Sequence, residues 1–483
     1  MARQHQSRSM LAALTEIVGA DGVMDGPEAA IVYEFDGSIE KSPPQAVVLP
    51  RTTEQVARIV QLANRLGVPV VPRGAGTGLS GGAVAIKGGI LIVLTRMNEI
   101  LETDPVNRLA VVQPGVVNIR LSEAAAAHDL QYVPDPSSQK VCTIGGNVAE
   151  NSGGPHCLAY GVTTNHILGL EVVLPDGEVL WLDGAEEDGP GYDLKGLFVG
   201  SEGTIGIATK IMVRLSPTAE SVRTLVAVFA RMDDASRAVS SIIGSGIIPA
   251  ALEMIDRVTI EAVGPVVQAD FPPDADAVLL IEVDGDEASV AQEAQAVEGI
   301  CRDMGAREVR VAVELEHRER LWAARKGALG ALGRLAPNYY ILDGVVPRTK
   351  LPEILARVAE ICQRHGFRVA NVFHAGDGNL HPNLLFDERV PGQTEEVIEA
   401  GEEIMRACVE VGGTITGEHG VGLEKKNFMP LIFSPDDLRA MEKVKEAFGA
   451  TETFNPCKIL PTGTACGEGW KLAKLPDVPG GYL

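Results

Sequence analysis

Cysteine is scarce in this chain: seven among 483 residues, scattered, odd in number and without a CxxC pair. That argues against a disulfide framework and against an iron–sulfur cluster held by the chain itself, and it fits a reducing compartment. Basic residues are also short. Forty-two Lys and Arg against 65 Asp and Glu leave a net charge of −23, which argues against nucleic acid and against an anionic membrane surface as partners. No apolar run approaches the ~18 residues of a spanning helix. The N-terminal MARQHQSRSMLAALTEIVGA has Leu11, Leu14, Ile17 and Val18 at helical spacing. A docked amphipathic helix is expected there, with a cleaved targeting segment as the alternative. Histidine is rare too, at nine residues, and two of the nine bracket one Gly-rich turn.

Glycine is plentiful, with 53 residues concentrated between positions 74 and 206. Length alone suggests roughly two to three domains. The first legible unit is AVVLPRTTEQVARIVQLANRLGVPVVPRGAGTGLSGG. Ala46 to Leu49 reads as a buried strand, and Thr52 with Gln55 has capping-box spacing. Val56, Ile59, Val60, Ala63 and Leu66 form an apolar stripe that Gly67 stops. Val68 to Val71 is a second strand. The loop after it contains Gly76, Gly78 and Gly81 in the G-x-G-x-x-G pattern. A dinucleotide fingerprint needs a helix to open at that point, and here AVAIKGG and another strand, Ile90 to Leu94, follow. The nicotinamide reading fails this test, yet consecutive glycines still let backbone N–H groups approach a pyrophosphate. Three further segments share the character: PDPSS (134–138), the small polar TIGGNVAENSGG (143–154), and GLFVGSEGTIGI (196–207), read as strand, turn and strand. Four such loops in one ~150-residue domain can line an elongated nucleotide.

In this order the four segments resemble the FAD-binding domain of the vanillyl-alcohol oxidase / p-cresol methylhydroxylase superfamily. The similar branch contains the FAD-linked chain of glycolate oxidase, FAD-linked D-lactate dehydrogenase and D-2-hydroxyglutarate dehydrogenase. The resemblance implies an α+β protein: a helical segment at 1–40, a two-part FAD domain at 41–217, a substrate (cap) domain with an antiparallel sheet at 218–454, and a C-terminal return and tail at 455–483. It implies that Arg73, Gly74, Ala75, Gly76, Thr77, Gly78, Leu79, Ser80 and Gly81 hold the FAD pyrophosphate, with Pro134 and Ser138 near flavin and phosphates. Gly145, Gly146, Asn147, Asn151, Ser152 and Gly153 would pack on the isoalloxazine and ribityl side. Glu202, Gly203, Thr204, Gly206 and Ile207 would meet the adenine end, and Asn455 would be the returning contact. Some members carry a flavin-linking His in the first loop. This chain has none, so a non-covalent FAD is expected.

In the second half, HAGDGNLHPN (374–383) lies between two apolar runs, FRVANVF and LLF, and reads as a hairpin loop. His374 and His381 would stand on facing strands, ~5 Å apart at Cβ, close enough to share a metal at ~2.1 Å each. Asn383 shares the strand face of His381. Alone, the pair reads equally as surface histidines. TITGEHGVG (414–422) adds Glu418 and His419. Strand neighbours point to opposite faces, so both reach one site only if Gly417, Gly420 and Gly422 permit a twist. Glu418 offers a third ligand, and His419 a base. The family resemblance implies that His374, His381 and Glu418 bind a divalent cation, that His419 is the catalytic base, and that Asn383 contacts substrate. N/O ligands suit Zn or Mn, with Fe as a further option.

LWAARKGALGALGRLAPNYYILDGVVP (321–347) reads as a helix with the stripe Leu321, Ala324, Ala328 and Leu332. Read alone, Arg325 is an ordinary solvated helix residue. By resemblance it clamps the substrate carboxylate. D-2-hydroxyglutarate dehydrogenases carry a Thr and a Lys where this chain has Leu329 and Ile341. A second carboxylate would be buried unpaired there, which favours a small monocarboxylate such as glycolate or D-lactate. The implied partners are that 2-hydroxy acid and an electron acceptor: a second FAD subunit with an iron–sulfur subunit, an electron-transferring flavoprotein, a cytochrome or a quinone. A cytoplasmic protein is expected, with peripheral membrane association through a partner, and assembly as a homodimer or hetero-oligomer, as further options. The competing readings are a D-2-hydroxyglutarate or other D-2-hydroxy acid dehydrogenase, a non-catalytic FAD relay subunit and an ether-lipid synthase of the same superfamily. The last two lack the metal set.

Overall fold

The computed structural model describes residues 2–184, 190–267, 271–450 and 453–461. Most of the C-terminal segment expected at 455–483 lies outside the described residues.

The N-terminal half builds two main sheets and a two-stranded pairing of Leu130–Gln131 with Ser216–Pro217. Ala46–Val48, Ile90–Val93 and Val70–Arg73 pair in parallel, and Val23–Met24 adds antiparallel at the edge. The expected crossover helix is Thr53–Leu66. Thr52 accepts from the N–H of Gln55 to start it, and Gly67 at φ 61° ends it. Val56, Ile59, Val60 and Ala63 are buried as the stripe requires. No helix opens after Arg73, as the failed fingerprint test anticipated. The N-terminal helix Ala2–Val18 docks Met10, Leu14 and Val18 into the same core. The second sheet is antiparallel, in the order Ile100–Asp104, Leu109–Val112, Ile207–Arg214, Ile167–Val173 and Val179–Asp183.

Two local expectations are corrected here. Gly196 to Phe198 is not a strand but part of the helix Leu194–Phe198, because the Asp193 side chain accepts the N–H of Gly196 and starts a helical turn. The second small polar segment is not a loop throughout. It contains the helix Ile144–Glu150, which Thr143 caps by accepting from Gly146 N and Asn151 closes at φ 50°. Two glycines weaken that helix by about 1 kcal/mol each. Burial of Ile144 and Val148 in the second sheet's core offsets this.

The C-terminal half is dominated by one seven-stranded antiparallel sheet. Its order is Glu308–Ala312, Ser221–Phe229, Ala277–Gly285, Ala251–Asp256, Arg368–Phe373, Pro382–Phe386 and Asn338–Ile341. Strand alternation splits its side chains between two cores. Leu225, Ala227 and Phe229 face the helices Met232–Gly244, Glu287–Asp303, Leu351–Arg364 and Gln393–Glu410. Val226 and Val228 face Arg257–Val263, Leu315–Lys326 and Ala328–Leu332. The stripe Leu321, Ala324, Ala328 and Leu332 is wholly buried there. That places the end of Leu315–Lys326, with Arg325, at the seam between the halves.

Candidate active site between a glycine cleft and a charged cap

A cleft of about 1620 Å³, counting its open mouth, runs from the first glycine loop to the cap. Arg73 to Leu79, Ser138, Gly145 to Asn147, Ser152, Gly153, Glu202, Gly203, Gly206 and Ile207 line it. Gly76 has φ 74°, and a Cβ there would meet the Arg73 guanidinium at 2.0 Å, so only glycine lets the loop close. The wall is rich in glycine, which lets an anion approach the backbone closely. That lining fits an elongated nucleotide cofactor with a diphosphate.

Six of the residues expected at the cofactor do not line the cleft, and each has another employment. The carbonyl of Ser80 accepts from Leu423 N at 2.8 Å, and Gly81 packs against the Leu423 side chain. The Pro134 carbonyl accepts from Asn118. Asn151 accepts from Thr164 N, and the Thr204 hydroxyl turns back onto Ser201 O. Asn455 donates to the carbonyls of Gly82 and Glu202, tying the returning chain to the cleft wall. These residues hold the wall from behind.

At the cap end stand Arg325, His374, His381, Glu418 and His419, all lining the cleft. The two histidines sit across the expected hairpin, with ring centroids 5.3 Å apart. Nε2 of His374 lies 3.0 Å and Nε2 of His381 3.1 Å from the same Glu418 oxygen, Oε1. The opposite nitrogens are anchored. His374 Nδ1 is 2.7 Å from Glu253, and His381 Nδ1 is 3.2 Å from the carbonyl of Leu342. In the tautomer that carries its proton on Nδ1, each Nε2 lone pair points inward, the arrangement that metal-ligating histidines adopt. Two imidazole nitrogens and one carboxylate oxygen within 4.8 Å of one another fit a divalent cation. Gly153 of the cofactor half approaches so closely that a Cβ would stand 2.5 Å from Glu418 Oε2.

The 414–422 segment is a loop, not the twisted strand expected, and Asp343 explains why Glu418 and His419 face one site. The fully buried Asp343 carboxylate accepts from the N–H groups of Gly417, Glu418 and His419, the Thr416 hydroxyl and Lys425 Nζ. Three consecutive N–H groups drawn to one carboxylate curl the backbone, and neighbouring side chains then splay to one side. Burial alone would raise the Asp343 carboxyl. His419, Lys425 and His381 outweigh it and hold the group well below the usual range. The His419 ring stacks on His381 at 4.8 Å. Burial lowers its pKa to about 4 against the pull of Asp343, so the imidazole is neutral.

Arg325 is buried, and its Nε and Nη2 both lie 2.6 Å from Glu253. Glu253 therefore holds Arg325 and His374 at once. Asn383 is fully buried and does not line the cleft. Its amide donates to the carbonyls of Ala370 and His381, so it braces the His381 strand from behind the wall. Leu329, Ile341 and Val372 complete the cap wall as an apolar patch.

Glu253 and Asp343 were not legible as site residues from spacing. A single acid inside an apolar run, as in ALEMI and YYILD, is the signal that marks each.

A glycine-walled cleft of nucleotide type facing a cap with a charged cluster is the layout expected of a flavoprotein oxidoreductase. The comparisons agree. Residues 44–183 match the FAD binding domain model, and residues 218–459 match the model for FAD linked oxidases, C-terminal domain. The chain belongs to the FAD-linked oxidase family. It is 48% identical over 461 residues to the glycolate oxidase subunit GlcD of Escherichia coli K12, covering 95% of this chain and 92% of that protein. It is 40% identical over 449 residues to the glycolate oxidase subunit GlcD of Bacillus subtilis, covering 92% and 96%. It is 34% identical over 428 residues to a D-lactate dehydrogenase of Anaerostipes hadrus, covering 87% and 90%. In fold it is similar to p-cresol methylhydroxylase, with a TM-score of 0.80 at 16% identity, covering 94% and 97%. Among the described residues no helix is long and apolar enough to cross a membrane.

Proposed function

We propose that the chain oxidises a small D-2-hydroxy monocarboxylate, glycolate or D-lactate, to the 2-oxo acid and passes the electrons to a partner carrier. The observation that carries this reading is the convergence of Arg325, the His374–His381–Glu418 set and His419 at one end of the FAD-type cleft. Arg325 takes the substrate carboxylate through the guanidinium edge that Glu253 leaves free. His374 Nε2, His381 Nε2 and Glu418 would hold the cation, and the glycine wall a non-covalent FAD. When bound, FAD supplies the hydride acceptor and a divalent cation such as Zn, Mn or Fe supplies Lewis acidity at the 2-hydroxyl. His419 removes the hydroxyl proton as the C2 hydrogen leaves with its electron pair, so two electrons and two hydrogens depart and a C=O bond forms. Leu329, Ile341 and Val372 exclude water and leave apolar room for a hydrogen or methyl at C2. Buried against them, a second carboxylate would be unpaired at several kcal/mol.

The names of the relatives support the same substrates. Stopped-flow flavin bleaching with glycolate, D-lactate, L-lactate and D-2-hydroxyglutarate, together with metal analysis of the purified protein, tests the reading. Rapid bleaching by glycolate or D-lactate that EDTA treatment abolishes and added Zn or Mn restores is expected. Preferential bleaching by the dicarboxylate, or full turnover in metal-free protein, overturns it.

A further inference from the structure

The loop bearing Glu418 and His419 belongs to the cap, yet one end of it is gripped by the cofactor half. Glu202 stands on the cleft wall in the Gly200–Gly206 turn, itself held at φ 52°. Its carboxylate accepts from the N–H of Val421 and the N–H of Gly422, each at 2.7 Å. The next amide, Leu423 N, donates to the carbonyl of Ser80 in the first glycine loop. Gly420 has φ 86°, and a Cβ there would stand 2.3 Å from Glu150 and 2.9 Å from Glu202. A Cβ on Gly422 would stand 2.0 Å from the Ser80 carbonyl oxygen. The loop is therefore seated backbone-first in a socket made by two cofactor-lining turns. Its other end is seated on Asp343 of the cap. Two buried carboxylates, one from each half of the molecule, hold Thr416 to Gly422 between them.

We propose that Glu202 is a positioning residue for the Glu418–His419 loop. It sets that loop from the cofactor half, so that order in the FAD-lining turn and assembly of the cation and proton-transfer groups are coupled. Glu202 touches the loop only through backbone N–H groups, so its effect is transmitted by where Glu418 and His419 stand. The coupling is reciprocal by thermodynamic necessity. A nucleotide that orders the Gly200–Gly206 turn tightens the cation site, and a cation that orders Glu418 tightens the turn. The inference rests on the reading above only in taking Glu418 as a cation ligand.

The test uses the FAD-loaded full chain with Glu202→Gln and the shorter carboxyl of Glu202→Asp. Amide hydrogen exchange over residues 414–424, FAD content by absorbance, and Mn2+ or Zn2+ affinity by calorimetry are measured for each. The expected result is faster exchange across 414–424 in both variants. FAD content should be retained, and the cation dissociation constant should rise about 10-fold or more for Glu202→Gln, the scale on which outer-shell partners act. Unchanged exchange and unchanged cation affinity overturn the proposal. Loss of FAD with an undisturbed loop also overturns it, by making Glu202 a cofactor ligand only. If the parent protein binds no cation, the functional reading falls, and the exchange measurement still decides whether Glu202 clamps the loop. Should Glu202→Gln fail to fold, Glu202→Asp carries the same comparison.

Discussion

The two halves of the site recognise their ligands by opposite means. The cofactor half presents backbone: glycines in positive-φ turns, capped helix ends and carbonyl-pinned loops along a wall many residues long. The cap presents side chains: three imidazoles, one carboxylate and one guanidinium within a small volume, held from behind by Glu253 on Arg325 and His374, by Asp343 on the Glu418–His419 backbone, and by the Leu342 carbonyl on His381. A backbone wall spreads its hold on a nucleotide over many groups, so the loss of any one side chain there costs little nucleotide affinity. A convergent charged site concentrates its work, and one substitution can remove a whole role. The strongest tests of this contrast fall on the cap. His419→Asn should lower the rate of flavin reduction by substrate about 10²- to 10⁴-fold, the contribution of one positioned base, with FAD and metal content retained. Glu253→Gln comes next, because one carboxylate holds both Arg325 and His374. Cation affinity should fall about 10- to 100-fold, and the KM for substrate should rise with it. Unchanged KM and cation affinity would show that Glu253 is only a packed structural acid.

A smaller effect tests selectivity rather than rate. Leu329 and Ile341 face the cleft where a second carboxylate would lie. Leu329→Thr combined with Ile341→Lys should shift kcat/KM toward D-2-hydroxyglutarate, by about tenfold for each 1.4 kcal/mol of restored pairing. The comparison is made by stopped-flow with the dicarboxylate against glycolate. If the ratio stays put, the substrate does not lie against this wall.

The cofactor half was legible because its signal is local. Gly76, Gly78, Asn147, Gly153 and Gly203 follow one another in short motifs, and the backbone conformation they permit is written in the same few residues. His374 and His381 were legible for the same reason, being the two sides of one hairpin. What stayed hidden came from elsewhere in the chain. Glu253 meets His374 across 121 residues, and Asp343 meets His419 across 76. Such pairings are made by strand order, which no spacing encodes. The opposed directions of Glu418 and His419 posed a puzzle in strand terms, and three glycines made a twist conceivable. The force that produces the turn is the buried Asp343 carboxylate. Likewise Ser80, Gly81 and Asn455 sit in motifs that read as cofactor contacts. In the fold Ser80 and Gly81 meet Leu423 of the cap loop, and Asn455, on the returning chain, donates to the carbonyls of Gly82 and Glu202.

The smallest expected effect on turnover lies at the seam itself, away from both ligands. His156 of the cofactor half stands between Asp135 at 3.0 Å and Glu282 of the cap at 3.2 Å. Lys326 pairs with Asp135, Arg318 approaches Glu282, and the Trp322 ring lies 5.4 Å from the imidazole. Burial by itself would lower the His156 pKa. Asp135 and Glu282 outweigh it and raise the value from 6.5 to about 10. A group whose folded pKa is raised stabilises the fold fully below its unfolded value and loses that contribution as pH climbs to the folded one. The stability difference between the parent and His156→Asn should therefore be greatest below about pH 6.5, at a few kcal/mol. It should decline steadily between there and pH 10. Denaturant midpoints of the FAD-loaded pair, taken at pH 6, 8 and 10, check this. A gap that stays constant with pH would mean that His156 is held by packing and not by its charge, and that the two halves are joined at this seam by shape alone.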